Sequence, residues 1–363
     1  MFFNLSTFYF FFYVTIGSYI IYLPRTLENL GYTPLQIGIV FSTIPLVRFI
    51  LPFLFLKKFK LTNKIFLFSL SISLLSAILF YFTIKDFYLF VFSNLLSGIG
   101  ISLTLPYIEL MTLEKLGNRY GKSRLYGSIG FIIISLVLAR FIKGYQIILN
   151  FYLVATIIYI IFALLITKKE KKRERERKES NDKLVFSKNI GFWITIFLVQ
   201  VSFGGYYNFF TIYELKNGIS INIISYLWAF SVICEIIILY FQNYLLKDNN
   251  LMKIIRFSII ITIIRWLILY FLPTVVIASF ISQALHAISF ALYYTATVLY
   301  LYKIYPSNRL AMLFLSGISY GAGGLVGSLI AGITYGKNLF LISAIIALIS
   351  FFTINIKKLS LFS

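Results

Sequence analysis

One cysteine, Cys234, and one histidine, His286, serve a chain of 363 residues. A single thiol excludes an intramolecular disulfide. With a single imidazole beside it, a conventional zinc or copper site is excluded as well. Charge is scarce: 12% of the residues are Asp, Glu, Lys or Arg. A soluble domain carries about a quarter, so an ordinary soluble fold is excluded. Acid is scarcer still, with 12 Asp and Glu, five of them between positions 168 and 188. That leaves no carboxylate cluster for the metal or phosphate chemistry of a membrane-surface enzyme. The expectation is therefore a non-enzyme without a cofactor. The opening stretch, MFFNLSTFYFFFYVTIG, has no Lys or Arg before its apolar core and no A-x-A-like cleavage pattern. It reads as a retained first helix.

What is abundant is apolar sequence, 60% of the chain. Runs of bilayer-spanning length recur throughout and predict an all-α membrane protein. Twelve spans are expected, near 5–23, 35–56, 65–84, 87–111, 125–142, 147–167, 190–213, 221–246, 251–271, 274–302, 310–333 and 338–356. The net charge of +21 is segregated by loop: +18 falls on one side of these spans and +3 on the other, with Glu214 and Lys216 assigned to a short loop on the poorer side. Charge so arranged is a topology signal and not a nucleic-acid footprint. It places both termini in the cytoplasm of a bacterial inner-membrane protein whose surroundings are lipid and which is expected to be monomeric.

The stretch KKEKKRERERKESNDK (168–183) is the sole long polar segment. It divides the chain into an N-terminal half at 1–167, a charged cytoplasmic linker at 168–189 and a C-terminal half at 190–363, six spans on each side. The halves resemble each other. A shift of 187 sets Gly17 on Gly204, Gly31 on Gly218 and Arg48 on Glu235. A shift of 189 sets SNLLSGIGISL (93–103) on SQALHAISFAL (282–292), and one of 185 sets Arg124 on Arg309. The constant order of these offsets predicts two pseudo-symmetric six-helix repeats facing a midplane cavity, as in secondary transporters.

Ionisable residues inside the apolar runs mark where such a cavity does its work, because each costs at least a few kcal/mol to insert. Glu235, Arg265 and His286 lie at depths of roughly 22, 10 and 20 Å, taking ~1.5 Å per residue from the nearer boundary. A carboxylate, a guanidinium and an imidazole on adjacent helices are expected to form one network, with Glu235 and Arg265 as a displaceable ion pair. Gln283 shares the His286 face at i, i+3. Arg48, between Pro45 and Pro52, is either a cavity-facing cation or a side chain snorkelling toward Lys57–Lys60. Glu109 is either a boundary residue or a second coupling carboxylate, and Arg124 is expected to clamp neighbouring helix ends.

Twelve helices in two halves joined by a charged loop resemble the major facilitator superfamily. GYTPLQIG (31–38), RLYGSIGF (124–131), YLWAFSVICEIII (226–238), IIRW (263–266) and QALH (283–286) are similar to its phenylpropionate permease branch. That branch is related to the lactose-permease-like oligosaccharide and nucleoside proton symporters. The resemblance implies a proton-driven symporter importing a small organic solute, an aromatic carboxylate first and a sugar or nucleoside second. A non-transporting sensor is a remote alternative. In lactose-permease-like proteins a Glu, an Arg and a His on helices eight, nine and ten serve recognition and coupling, and Glu235, Arg265 and His286 match them. One turn after the His those proteins carry a Glu, where this chain has Ser289. Their loop between helices two and three has a Gly and an Asp, whereas LKKFKLTNK (56–64) has neither.

Overall fold

The apolar runs fold as helices whose ends are set by a few polar residues. Thr62 and Asp86 accept from backbone N–H groups three residues on, at 3.4 and 2.9 Å, and Asn250 caps Met252 and Lys253 in the same way. In the computed structural model, which describes residues 1–56, 61–141, 144–168, 186–246, 250–305 and 309–354, the helices are α1 (Phe2–Asn29), α2 (Pro34–Leu54), α3 (Asn63–Thr83), α4 (Phe87–Leu116), α5 (Tyr120–Phe141), α6 (Tyr145–Thr167), α7 (Ile190–Lys216), α8 (Ile221–Gln242), α9 (Leu251–Phe271), α10 (Val276–Ile304), α11 (Leu310–Thr334) and α12 (Leu339–Thr353). Eleven are long and apolar enough to cross a membrane, and α12 is shorter. The linker expected at 168–189 falls mostly outside the described residues. Of it, Phe186–Asn189 form a 3-10 turn leading into α7.

Several boundaries differ from expectation: α1 runs to Asn29 and α4 to Leu116, not to about 23 and 111, and α5 begins at Tyr120, not near 125. Helix α12 ends at Thr353 and not near 356, with residues 355–363 outside the described part. More consequentially, α7 runs on to Lys216, so Glu214 belongs to the helix and not to a loop. The reason lies at Gly218, whose φ of 88° ends the helix. Only there does the chain turn left-handed, a region open to glycine at no steric cost.

The same stop ends α1. Gly31 has φ 91°, and Tyr32 N–H donates to Leu27 O at 3.0 Å, just as Ile219 N–H donates to Glu214 O at 3.0 Å. These paired caps are 187 residues apart. Packing repeats in the same way: α1 lies on α5 and α6 as α7 lies on α11 and α12, and α2 and α3 pack on α4 as α8 and α9 pack on α10. Between the halves, α2 packs on α11 and α5 on α8, two contacts that a shift of six helices exchanges. Each half is thus one copy of a common arrangement, and the copies meet along two equivalent seams.

Glycine sets how closely the seam at α2 and α11 shuts. A Cβ on Gly38 would lie 2.6 Å from Ser328 O and 3.1 Å from Gly332 Cα, so here the two backbones touch. At the same face Lys216 of α7 reaches Glu28 of α1 at 2.8 Å, and Glu28 also holds Arg25 at 2.6 Å. The halves are therefore joined at the face opposite the chain termini. Large apolar side chains such as Phe82, Phe92, Ile277 and Phe352 are exposed around the bundle, as lipid-facing residues would be.

Candidate functional site

The three embedded residues of the C-terminal half converge. Arg265 on α9 is fully buried, and its guanidinium is satisfied from α10: Nε donates to Ser282 O at 3.0 Å, one terminal nitrogen lies 2.8 Å from His286 Nδ1, and the other lies 3.4 Å from Gln283 Oε1. Its faces are covered by the rings of Tyr206 at 4.2 Å and Trp266 at 4.5 Å. His286 presents its other nitrogen, Nε2, to Glu235 Oε1 on α8 at 2.8 Å. The expected direct Glu235–Arg265 pair is not what forms. The imidazole stands between them, because Gln283 and His286 at i and i+3 together occupy the guanidinium's hydrogen-bonding edge.

This order fixes the tautomer. A guanidinium can only donate, so Nδ1 must be the acceptor and the ring proton must sit on Nε2, where it donates to Glu235. A second proton on the ring would set N–H against N–H. His286 is thus committed as a neutral bridge while Arg265 holds it. Glu235, with 18% of its side chain exposed against 4% for His286, is the member open to exchange. Ser289 is buried and donates back to His286 O at 3.3 Å, inside a π-helical segment at Ala287–Leu292. No acid replaces it in that turn.

The N-terminal half supplies a second group. Glu109 on α4 lies 3.7 Å from Arg124 Nε on α5. Arg124 donates to Tyr13 OH and lies 4.2 Å over the Tyr13 ring. Arg124 thus ties α5 to α4 and α1, as the clamp expected of it would, and it is among the charges that act on Glu235 across the seam between α5 and α8. Its sequence signals were the shift of 185 that sets it on Arg309 and its place in RLYGSIGF (124–131). Arg48 on α2 has Tyr13, Tyr320, Glu109 and Tyr294 as its electrostatic neighbours, from four helices and both halves. Lys57–Lys60, toward which Arg48 would snorkel, lie outside the described residues, and the Glu109 side chain is about one-third exposed, at 34%.

Aromatic side chains fill the space between the two charged groups. Phe290 stacks on His286 with ring centres 5.1 Å apart and planes 6° from parallel. Tyr320 lies 6.5 Å from Phe290 and 5.8 Å from Tyr294. Among the described residues no three His, Cys, Asp or Glu side chains group as metal ligands would.

Residues 2–345 match the MFS_1 like family. The chain belongs to that family. It is accordingly a transporter of the major facilitator superfamily and an integral membrane protein, and not an enzyme. Among its relatives it is similar to the probable 3-phenylpropionic acid transporter of Escherichia coli (strain K12), with 24% identity over 370 residues covering 95% of this chain and 94% of that one. The fold is that of the nucleoside transporter NupG, with TM-score 0.81 at 16% identity, covering 97% of this chain and 98% of NupG. It is also that of the transporter FucP in its outward conformation, with TM-score 0.61 at 16% identity and 99% of each chain covered.

Proposed function

We propose that this protein is a proton-coupled symporter that imports a small aromatic carboxylate by alternating access. One observation carries the reading: the buried series Glu235–His286–Arg265, ended by an exchangeable carboxylate and faced across the seam by Arg124. Intramembrane ionisable groups of this kind mark substrate and proton paths. With Arg265 holding His286 neutral, Glu235 takes the proton. Neutralising it removes the charge that resists reorientation, and no cofactor is needed because the proton gradient supplies the energy.

Arg48 and Arg124 are the cations from the N-terminal half suited to a carboxylate. Phe290, Tyr294 and Tyr320 offer a ring surface between them and the trio. The name printed for the Escherichia coli relative agrees with such a solute. Arg265, Gln283 and Glu109 complete the site, the first two by fixing His286 and the last by pairing with Arg124. Excess positive charge on the loops that share a side with both termini supports a cytoplasmic placement of those termini in the bacterial inner membrane.

The test is a thermal-shift panel of 3-phenylpropionate, a disaccharide and a nucleoside on purified protein, followed by uptake of whichever stabilises. The carboxylate should raise Tm and Arg48→Ala should abolish the shift. If the sugar or the nucleoside stabilises and the carboxylate does not, the solute assignment is wrong. If Glu235→Gln and Arg265→Ala transport the hit as the parent does, the site assignment is wrong.

A further inference from the structure

Glu214 has no part in the site above, yet it is fully buried in α7. Its two carboxylate oxygens lie 3.3 and 3.1 Å from one hydroxyl, that of Ser279 on α10, which is buried as well. A hydroxyl carries one proton and can serve one oxygen at a time. No cation pairs with Glu214 among the described residues. Lys216, on the same helix, is turned to Glu28 and to the Tyr335 ring.

Titratable groups on the neighbouring elements are engaged elsewhere or uncharged. Glu28 of α1 pairs with both Arg25 and Lys216. Tyr19 donates to Asn94, Tyr22 to Ser135 O, and Tyr213 to Leu269 O. Tyr270, Tyr335 and Tyr226 supply phenol hydroxyls, and the Tyr335 ring lies under Lys216 Nζ at 4.8 Å. Arg265 and His286 are bound to each other about two turns further along. An ionised carboxylate closed off with one shared donor is far costlier than a neutral one, and such a group takes up a proton instead.

The internal repeat shows that folding does not ask for an acid here. The matched caps align Glu214 with Leu27, and the offset of 189 aligns Ser279 with Phe90; Leu27 and Phe90 are both fully buried in the apolar core. The first half fills these positions with hydrocarbon and the second with a carboxyl and a hydroxyl. The second-half pair is also continuous with the site. On α7, Tyr206 and Glu214 lie on one face at i and i+8; on α10, Gln283 and Ser279 face them, with Tyr206 OH donating to Gln283 Oε1 at 2.9 Å. Between the two contacts, Ser282 Oγ and Gln283 Nε2 are buried without partners, as at places a water would bridge.

We propose that Glu214 is a second proton-binding site of the transport cycle, protonated when the face opposite the termini is shut and ionised when α1 and α7 part and water reaches it. Closing that face then takes up one proton from water onto a Glu214 oxygen, and opening it returns the proton. The proposal extends the proton-coupled reading and uses the same alternating access, but it is independent of the solute and of Glu235.

The test places spin labels at Lys85→Cys and Lys337→Cys, exposed on that face in opposite halves, in a Cys234→Ala protein in nanodiscs without solute. Distances are read against pH by double electron–electron resonance. In the parent, the open-to-closed ratio should rise with pH, by up to about tenfold per unit for one proton. Glu214→Gln should be closed at all pH values, and Glu214→Leu, which installs the residue of the first half, should behave alike and covers the case in which Gln folds poorly. Glu235→Gln should keep the pH response. A parent ratio that does not change with pH overturns the proposal, and so does a response that survives in both Glu214 variants. If the response disappears only in Glu235→Gln, it belongs to the central site, and the proposed function stands while this inference falls.

Discussion

Replacing Glu235 by Gln tests the assignment of the proton without dismantling the site. The bond from His286 Nε2 at 2.8 Å is charge-assisted while Glu235 is ionised. Such bonds contribute about 1.5–3 kcal/mol and neutral ones about 1, so the variant should lose about 0.5–2 kcal/mol of stability and remain folded. The functional change is larger. A gradient of two pH units supplies about 2.7 kcal/mol per proton, at 1.36 kcal/mol per unit, which sustains a roughly 100-fold gradient of a solute moved with one proton. For a weak acid, that is also the ratio its neutral form reaches by leaking through the bilayer. The initial rate above protein-free vesicles is therefore the quantity to measure, not the final level. In proteoliposomes alkaline inside, the parent should show fast net uptake and solute-dependent acidification of the lumen. Glu235→Gln should show neither, while exchange of labelled for unlabelled solute at equal pH persists. Net pH-driven uptake by Glu235→Gln at the parental rate would refute the role of this carboxylate.

Three further outcomes follow from the geometry. Arg265→Ala strips His286, Gln283 and the Ser282 carbonyl of their common donor and should cost about 1–3 kcal/mol for each acceptor left unpaired, seen as a lower Tm; Arg265→Lys should recover much of the stability without recovering transport, since an ammonium cannot reproduce the fork. Lys216→Ala breaks a pair that is half exposed on the lysine side, so it should weaken closure by about 1 kcal/mol at most, read as no more than about a fivefold change in the open-to-closed ratio. Gly38→Val forces a side chain into Ser328 O and Gly332 and should shift the same ratio toward open, measured with the same spin-label pair; an unchanged ratio would mean that the α2–α11 seam does not close this face.

The embedded trio was legible because an ionisable group in a twenty-residue apolar run has few explanations other than use. Its internal order was not. Sequence separation gives depth along a helix but not rotation about its axis, so the insertion of His286 between Glu235 and Arg265 needed coordinates. Arg124 was expected as a clamp on helix ends, but its partners Glu109 and Tyr13 were hidden because a basic residue at the start of a helix ordinarily meets water. Glu214 was missed for a similar reason: lying two residues before Lys216 and four before Gly218, it reads as the polar edge of a loop. A signal was nevertheless present. The offset that aligns Gly31 with Gly218 also sets Glu214 on Leu27, an apolar residue in the last turns of α1.

The meeting of α2 and α11 at Gly38 and Gly332 has a mechanical corollary. Where main chain rests on main chain, no side chain can be compressed or swing aside, so closure ends against a rigid stop. Under the proposed alternating access, the end point of the stroke would be set by helix positions and not by the side chains around the solute. Residues around Arg48, Tyr294 and Tyr320 could change to accept a different solute while the stroke kept its length, which separates the evolution of what is carried from the motion that carries it.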